Sequence, residues 1–520
     1  MDGLPTREQV SAAMQQKNWP KLLQMGQRLT RSDADDDGHF ISAIAYRGMG
    51  QFENALKSFR KCAKAKSSRV DARIEAAELE QRLGRQAAAV KAVKSTLPKI
   101  DSNPHYLNKA GSIFMRAGLY GLALAPLQQA RDQSPGQLKF EIDLADCLGK
   151  NGDLKQAEKL LTGLVQKLPK HQRLHYDLAK VRRATDRTHV DMLERLIGPD
   201  SDQDRENIFA LFSLGKELED LSHWSESFKY YKRGNDAAGA IAKMQGYDLQ
   251  TDIKALEATV KSFTSQAIEP AGKGIRPNAV PVFIMGLPRS GTTLLEKIVT
   301  GHPDIESIDE TYFLENAAKS FCGLSPREIL RAEHIEMLAS APGSARIIQT
   351  YLDQVDYRRS GRSMFIEKYP MNFIFAGLIC RHLPQAKILY MRRNALDVCF
   401  ALYKQPHFRY SFDLEGLADY YAAYLKLEQH WAGIAGERIH FVDYEDLVAA
   451  PQQTVKPIMA YLGKAFSADL LDFHKRKEPS ASASSAQIRE KIYTRSVEKW
   501  RNWENDLTPL VNRLRDHGLV

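Results

Sequence analysis

Four glycines recur at a constant interval in the first half of the chain: Gly50, Gly84, Gly118 and Gly152 follow one another at 34 residues. A fixed period of this length is typical of a solenoid in which helical pairs stack on one another. Glycine suits the turn inside each pair, because that turn needs a positive φ. The chain is therefore predicted to begin with an all-α repeat domain.

The residues around each glycine repeat as well. Seven positions before each glycine stands a small residue: Ala43, Ala77, Gly111 or Ala145. Five positions after it stands an alanine: Ala55, Ala89, Ala123 or Ala157. Nine positions after it stands a bulky apolar residue: Phe59, Val93, Leu127 or Leu161. Small residues let two helices cross closely, and bulky ones fill the groove to the next pair. The pattern resembles the tetratricopeptide repeat. Ala179 indicates a fifth copy, and a sixth has Ser222 in place of its turn glycine.

The length of 520 residues exceeds what one hydrophobic core usually supports, so several domains are expected. We assign residues 1–245 to about five to six repeats. Residues 246–278 are interpreted as a linker because the stretch "QAIEPAGKGIRPNAV" is rich in Gly and Pro. Residues 279–520 form the second domain.

Composition narrows the classes of function. The net charge of +9 comes without a long basic run, which favours anionic ligands over a nucleic-acid tail. The five cysteines are scattered and lack metal-ligand spacing, so neither a disulfide framework nor a metal site is expected. The first residues lack a signal-peptide core, and no apolar run of about 18 residues predicts a membrane span. A cytoplasmic protein is expected.

The stretch "PVFIMGLPRSGTTLLEKI" has the layout of a phosphate-binding loop. An apolar run predicts a buried strand, Gly286 opens a turn, and "TTLLEKIV" predicts a helix whose free N–H groups and dipole face the loop. The spacing matches the ATPase loop, but Thr292 stands where that loop has its lysine. The loop is therefore predicted to bind an anion other than a nucleoside triphosphate.

The motif "PRSGTTLL" resembles the 5'-phosphosulfate loop of sulfotransferases, which bind 3'-phosphoadenosine 5'-phosphosulfate (PAPS). The resemblance extends over about the last 240 residues and is greatest to tyrosylprotein sulfotransferases and to bacterial sulfotransferases that carry tetratricopeptide repeats. It implies a P-loop-type three-layer α/β/α domain with a central parallel sheet. The implied contacts to PAPS from the loop are Arg289, Ser290, Gly291, Thr292 and Thr293.

The same resemblance implies the catalytic residues. Glu310, in "GHPDIESIDETYFL", matches the catalytic base of the tyrosylprotein enzymes, with His302 as the alternative base. Lys368, in "MFIEKYPMNF", matches the lysine that stabilises the leaving group, a task that Arg289 shares. The strand's carboxyl end is also where ligands collect in doubly wound sheets.

Arg393, in "AKILYMRRNALDVCFALY", matches the arginine that holds the 3'-phosphate, to which Arg392 could add charge. The motif departs from the family at two positions, because Ala395 replaces a proline and Ala401 replaces a serine that would donate to that phosphate.

Three further residues follow from the resemblance. Tyr444 matches a tyrosine near the nucleotide, Ser484 matches a catalytic serine in a closing segment, and Arg489 is expected to approach the 3'-phosphate.

The resemblance implies a PAPS-dependent sulfotransferase that requires no metal and acts on a hydroxyl acceptor, with protein tyrosine among the candidates. The repeat groove is expected to recruit a protein or peptide, and a homodimer is its alternative use. A carbohydrate or small-molecule sulfotransferase, a catalytically weakened scaffold and a P-loop small-molecule kinase remain the alternative functions. The absent loop lysine counts against the kinase.

Overall fold

A computed structural model describes residues 4–32, 35–66, 69–100, 103–198, 203–270, 272, 274–476 and 489–520. The chain divides into two compact units, Met1–Asn151 and Gly152–Val520. Within the described ranges, no helix has both the length and the apolar character that crossing a bilayer demands.

The described part of the first unit is built from α-helices, and consecutive helices pack against one another. They are α1 Arg7–Gln15, α2 Trp19–Leu29, α3 Asp35–Gly48, α4 Phe52–Ala65, α5 Val70–Arg82, α6 Gln86–Thr96, α7 Pro104–Arg116, α8 Tyr120–Gln133 and α9 Leu138–Asn151. The pair α1 and α2 precedes the first copy that the glycine spacing predicts. The turn of this pair has Lys17, at a φ of 52°, in place of a glycine, so the glycine spacing did not reveal the pair.

The repeat positions behave as the sequence predicts. The turn glycines all take positive φ, from 72° at Gly118 to 82° at Gly152. The small and bulky residues around them are buried. At Gly111 a β-carbon would lie 2.5 Å from Cγ of Leu127, so only glycine permits α7 and α8 to approach this closely. The prediction of an all-α repeat region is confirmed.

In its described residues, the second unit begins with six α-helices and continues as an α/β domain. The helices are α10 Leu154–Lys167, α11 Gln172–Val181, α12 Thr188–Ile197, α13 Ile208–Asp220, α14 Trp224–Met244 and α15 Leu249–Ser262. Ser222, between α13 and α14, has a φ of 64°, which is the turn conformation that glycine has in the other repeats.

The α/β part alternates strands with helices, as a parallel sheet requires. The strands are β1 Val280–Gly286, β2 Ile305–Ser307, β3 Met364–Lys368, β4 Lys387–Arg392 and β5 Ile439–Asp443. The helices are α16 Thr292–Val299, α17 Phe313–Phe321, α18 Ala332–Ser340, α19 Ala345–Val355, α20 Ala376–His382, α21 Ala395–Tyr403, α22 Leu414–Ile434, α23 Tyr444–Ala449, α24 Pro451–Tyr461 and α25 Thr508–Asp516.

All five strands are parallel, in the order β2-β3-β1-β4-β5. Successive residues of the central strands point to opposite faces, where two separate hydrophobic cores lie. Phe283 and Tyr390 belong to one core, and Val282, Ile284 and Leu389 belong to the other. The predicted three-layer arrangement with a central parallel sheet is confirmed. The carboxyl ends of β1, β3 and β4 meet at one edge, where the phosphate loop begins.

The segment 246–278, predicted as a linker, contains the helix α15, and its apolar residues join the larger core. A β-carbon at Gly377 would lie 2.2 Å from the ring of Phe263, which directly follows α15. Phe212 and Phe228, from the preceding helical pair, lie in the same core. The division between compact units accordingly falls at residue 151, within the repeats, because the last repeat helices share a core with the α/β domain.

Ser222→Gly is predicted to stabilise the fold. An L-residue in the left-handed region costs about 1 kcal/mol, which glycine avoids. We expect the free energy of unfolding in urea to rise by about that amount. Ser225→Gly, at a nearby exposed position inside α14, is the matched control and should lower it. Equal effects of the two substitutions would contradict the prediction.

Candidate active site

The phosphate loop connects β1 to α16 and depends on two glycines. Gly286 has a φ of 137° and Gly291 a φ of 105°. A β-carbon at Gly286 would lie 2.4 Å from the carbonyl oxygen of Met391, and one at Gly291 would lie 2.5 Å from the ring of Tyr444. The backbone can therefore curl against β4 and α23 only without side chains at these positions.

The other loop residues surround the N-terminus of α16. Thr292 and Thr293 are buried in its first turn and line a cavity of about 400 Å³. Ser290 is buried, and its Oγ has no hydrogen-bond partner among the described residues. The first N–H groups of a helix lack acceptors within the helix. The loop thus presents donors without a carboxylate of its own, which is the arrangement that binds an anion.

Arg289 and Arg393 bring two guanidinium groups to this loop. Arg289 has a φ of 72° and lines the cavity, and burial together with the charge of Arg393 lowers its pKa. Arg393 donates to the carbonyl oxygens of Arg289 and Ser496, each at 2.8 Å, and its guanidinium lies 4.5 Å from the ring centre of Tyr444. The predicted residues Arg289, Arg393 and Tyr444 therefore converge on one cavity wall.

Lys368 lies at the carboxyl end of β3 and is fully buried. Its Nζ forms an ion pair with Oε1 of Glu310 and lies 4.0 Å from Oε2 of Glu296. Burial opposes the charged form, but the carboxylates of Glu310, Glu296 and Asp309 outweigh it, so the pKa of Lys368 is raised. The structure brings the predicted base and the predicted lysine into direct contact.

A strained turn sets the position of Glu310. The preceding Asp309 has a φ of 63°, its N–H donates to Oγ of Ser307 at 2.8 Å, and its carbonyl oxygen accepts from the Lys368 N–H. The carboxylate of Glu310 is part-exposed and lines the cavity. His302 is not among the residues that line the cavity, and its Nδ1 accepts from the Asp304 N–H at 3.2 Å.

Glu367, the neighbour of Lys368 in β3, is a second buried carboxyl group. It points to the opposite face, where it accepts hydrogen bonds from Thr311 and Asn372. Burial raises its pKa to about 7 against the effect of these donors. The hydrogen bond from Thr311 ties the residue after Glu310 to the sheet.

Of the predicted nucleotide contacts, Ser290 and Arg489 are not among the residues that line the described cavity, and neither is the predicted catalytic residue Lys368. Arg489 packs against the turn at Gly152 and donates to the carbonyl oxygen of Arg476 at 3.1 Å. Ser484 lies outside the described residues. Arg392, considered as an added charge, forms an ion pair with Glu428 at 2.8 Å instead.

The sequence missed a charged cluster among the residues that line the cavity. Glu219, from α13, accepts from Lys404 at 2.9 Å and from Lys499 at 2.7 Å, and all three line the cavity. Lys404 follows α21 directly, and Lys499 lies in the C-terminal segment. The signal that could have found Lys404 is its position three residues after Ala401 on the same helical face.

The C-terminal segment is fixed to α21 by Asp397. Its carboxylate accepts from the backbone N–H groups of Glu498 at 2.7 Å and Trp500 at 3.3 Å.

Trp500 lines the cavity, and its buried Nε1 has no hydrogen-bond partner among the described residues. The cavity thus contains unsatisfied donors and several cations, so its residues fit an anionic nucleotide. Within the described part of the chain no group of His, Cys, Asp and Glu has the arrangement of a metal site.

Gly291→Ala is predicted to destabilise the second unit. The methyl group would overlap the Tyr444 ring at a φ that L-residues rarely adopt, at a cost of about 2 kcal/mol or more. The free energy of unfolding measures this loss. Gly433→Ala is the control, because a β-carbon there meets no atom within 4 Å and the residue is helical. A loss at Gly433 equal to that at Gly291 would contradict the argument.

Glu367→Gln is predicted to flatten the pH dependence of stability. The folded pKa of Glu367, about 7, exceeds its ordinary value of 4.5. Its contribution to stability is therefore complete below about pH 4.5 and is lost as pH rises through about 7. The wild type should lose stability, on the order of a few kcal/mol, between about pH 5 and about pH 8 relative to the variant.

Urea unfolding at both pH values measures this difference for the wild type, Glu367→Gln and Glu437→Gln, which changes an exposed glutamate. The control should follow the wild type. If the free energy of unfolding changed with pH equally in Glu367→Gln and in the wild type, Glu367 would be ionised in the folded protein throughout this pH range.

Comparison with known proteins gives two family matches. Residues 281–468 match the model described as the sulfotransferase family, and residues 114–181 match the tetratricopeptide repeat. The first match contains the phosphate loop, Glu310, Lys368, Arg393 and Tyr444.

An uncharacterised protein of Aquifex aeolicus is 27% identical over 83% of this chain, and a protein-tyrosine sulfotransferase of Drosophila melanogaster is 24% identical over 42% of it. The alignments span 58% and 46% of those two relatives. The sulfotransferase domain of the Synechococcus PCC 7002 olefin synthase is 21% identical over 44% of this chain and 90% of that domain, with a TM-score of 0.33.

Proposed function

We propose that this chain, which joins tetratricopeptide repeats to a domain of the sulfotransferase family, is an enzyme that transfers a sulfuryl group from PAPS to a hydroxyl acceptor. One observation carries the proposal. Arg289 and Glu310, whose carboxylate pairs with the buried Lys368, line a single cavity at a phosphate loop that has threonine in place of the ATPase lysine.

The loop residues are suited to hold the 5' end of the donor. The N-terminal turn of α16 and the side chains of Thr292 and Thr293 offer donors, and Arg289 offers a cation. Arg393, held against Tyr444, is suited to the 3'-phosphate. PAPS, when bound, would supply an activated sulfuryl group and a good leaving group.

Glu310 is positioned to take the proton of the acceptor hydroxyl. Its carboxylate faces the cavity while Lys368 fixes one of its oxygens. Lys368 stays charged, since its pKa is raised, and its ammonium can neutralise charge that develops on the transferring group. Arg289, which belongs to the loop and lines the cavity, can neutralise the same developing charge. A base in this position contributes about 10² to 10⁴ in rate.

Protein tyrosine is the acceptor that we favour. Tyr312 and Tyr369 line the cavity near Glu310, with ring centres 5.0 Å apart in an edge-to-face arrangement, and an aromatic acceptor could pack against them. Several relatives are named protein-tyrosine sulfotransferases, which supports the same acceptor. A sugar or small-molecule hydroxyl is the alternative.

The repeats offer a surface for the protein that carries the acceptor, and a second copy of the chain is the other partner considered. The first unit contains a groove of about 420 Å³ with charges of both signs, lined among others by Glu75, Glu78, Lys109 and Lys139. Tetratricopeptide grooves of this kind suit an extended peptide.

The five cysteines are all free, and we place the protein in a reducing compartment, the cytoplasm.

Ligand binding to the full chain tests the donor. We expect calorimetry to show that adenosine 3',5'-bisphosphate binds and that ATP with magnesium binds at least about 10-fold more weakly, because the loop lacks the triphosphate lysine. Preference for ATP would support the kinase and overturn the proposal. Binding of neither nucleotide would support the scaffold.

Transfer of labelled sulfate from PAPS to a tyrosine peptide and to an oligosaccharide tests the chemistry. We expect Glu310→Gln to lower kcat by about 10² or more. Arg289→Ala should also lower transfer, whereas Glu437→Gln, at an exposed site, should not. Near wild-type transfer by both Glu310→Gln and Arg289→Ala would refute the mechanism.

A further inference from the structure

Glu296, on α16, is a buried carboxylate that has no task in the function proposed so far. Its side chain is fully buried, and the described residues that line the cavity do not include it. Oε1 accepts a hydrogen bond from Ser307, whereas Oε2 is buried and has no hydrogen-bond partner among the described residues. A charged oxygen in such a place is costly unless a cation lies near it.

The Lys368 ammonium is shared by Glu296 and Glu310. Its Nζ donates to Oε1 of Glu310 and lies 4.0 Å from Oε2 of Glu296, the oxygen without a hydrogen bond. The two carboxylates differ in their access to the cavity. The Glu310 side chain is 29% exposed and lines the cavity, so Glu310 can exchange a proton with an acceptor there, and the sealed Glu296 cannot.

Ser307 links Glu296 to the turn that carries the base. Its Oγ donates to Oε1 of Glu296 and accepts from the Asp309 N–H at 2.8 Å. The Asp309 carboxylate in turn accepts from the Glu310 N–H at 2.9 Å. Glu296 is therefore fixed to the phosphate loop's helix and, through one hydroxyl, to the backbone beside Glu310.

Sulfuryl transfer would change the charge of Glu310 and leave that of Glu296 unchanged. The acceptor O–H bond breaks, its proton goes to Glu310, and the acceptor oxygen forms a bond to sulfur. The S–O bond of the donor breaks, and its electron pair stays on the departing phosphate of adenosine 3',5'-bisphosphate. At that stage Glu310 is neutral, and the buried ammonium of Lys368 needs another carboxylate beside it.

Asp309 alone does not meet this need. Its carboxylate faces Arg358 and Lys297 as well as Lys368, and these three cations lower its pKa against the effect of burial. Its negative charge is thus divided among three cations. The remaining carboxylate next to the ammonium is Glu296.

We propose that Glu296 is a positioning residue that keeps a counter-charge beside Lys368 while Glu310 holds the acceptor's proton. The inference rests on the proposed function, because that function assigns the proton to Glu310. Glu296 touches neither donor nor acceptor and acts through Lys368, whose ammonium it keeps charged and in place for the transferring group.

The charged groups that face Glu296 support its ionised form at the stage where it is needed. Burial raises the pKa of Glu296 and the charge of Asp309 adds to the rise, whereas Lys297 and Lys368 oppose it. Once Glu310 is neutral, the Lys368 ammonium has one carboxylate fewer, and its attraction for Glu296 favours the charged carboxylate.

The pH dependence of sulfuryl transfer by the full chain tests this role. The pKa of Lys368 is raised above its ordinary value of 10.5, and loss of the Glu296 charge should lower it. We expect Glu296→Gln to lower kcat about 10-fold or more, with KM for PAPS changed less than about 3-fold. Its kcat should also fall on the alkaline side at a pH about 1 to 3 units below that of the wild type.

Matched variants separate the charge from packing. Glu296→Asp keeps the charge and should keep the wild-type alkaline limb at a reduced kcat. Glu217→Gln removes another fully buried helical carboxylate, which pairs with Arg182 at 2.9 Å, and should lower stability without moving the limb. Lys404, whose pKa is about 8, titrates alike in the wild type and in these variants, so the comparison isolates Lys368.

A double-mutant cycle gives a second readout that needs no activity. Glu296→Gln and Glu310→Gln each leave one of the two carboxylates beside the buried ammonium, and the double variant leaves neither. We expect the double variant to raise the unfolding equilibrium constant about 10-fold beyond the product of the single effects. Glu296→Gln combined with Glu437→Gln, at an exposed site, should give the product.

The outcomes separate this assignment from the enzyme proposal. An unchanged alkaline limb in Glu296→Gln, or a double variant that shows only the product of the single effects, would overturn the assignment and leave the enzyme proposal standing. A wild-type chain that transfers no sulfuryl group would overturn the enzyme proposal, and the task assigned to Glu296 with it.

Discussion

The candidate site depends on a lysine ammonium buried at the end of a central strand. An isolated buried charge is very costly, so Lys368 can occupy this position only with carboxylates around it. Glu310 provides the closest one, and Glu296 and Asp309 add to it. These partners come from α16 and from the turn after β2, and the ammonium thereby holds the phosphate loop's helix and the base-bearing turn at one edge of the sheet.

The same principle organises another charged cluster that lines the cavity, with the signs reversed. There one buried carboxylate, Glu219, collects two ammonium groups. Burial lowers the pKa of Lys404 to about 8 although the carboxylate opposes the change. The cavity is therefore lined both by the Glu310 carboxylate and by a cluster with surplus positive charge.

The sequence predicted those parts of the molecule that local spacing determines. Three features could be predicted because each is visible in a short stretch of sequence. They are the glycines 34 residues apart, the loop from Gly286 to Thr293, and the residues at the strand ends, Lys368 and Arg393. Lys17 shows a limit of that method, since its φ of 52° follows from the turn and not from its residue type. The contacts of Glu219 with Lys404 and Lys499 could not be predicted from local spacing, because they join residues separated by 185 and 280 positions.

These long-range contacts change how the last repeat helices should be regarded. Glu219 of α13 lines the cavity, and the carbonyl oxygen of Trp224, the first residue of α14, accepts from Nε1 of Trp503 at 2.8 Å. Phe228 of α14 packs against the rings of Phe400 and Tyr403 on α21. A surface that only recruited a partner would not need to bury its side chains beside the candidate site. The helices α13 and α14 therefore have a repeat's sequence pattern and also form part of the wall of the candidate site, so their side chains serve both the packing of the repeats and the shape of the cavity.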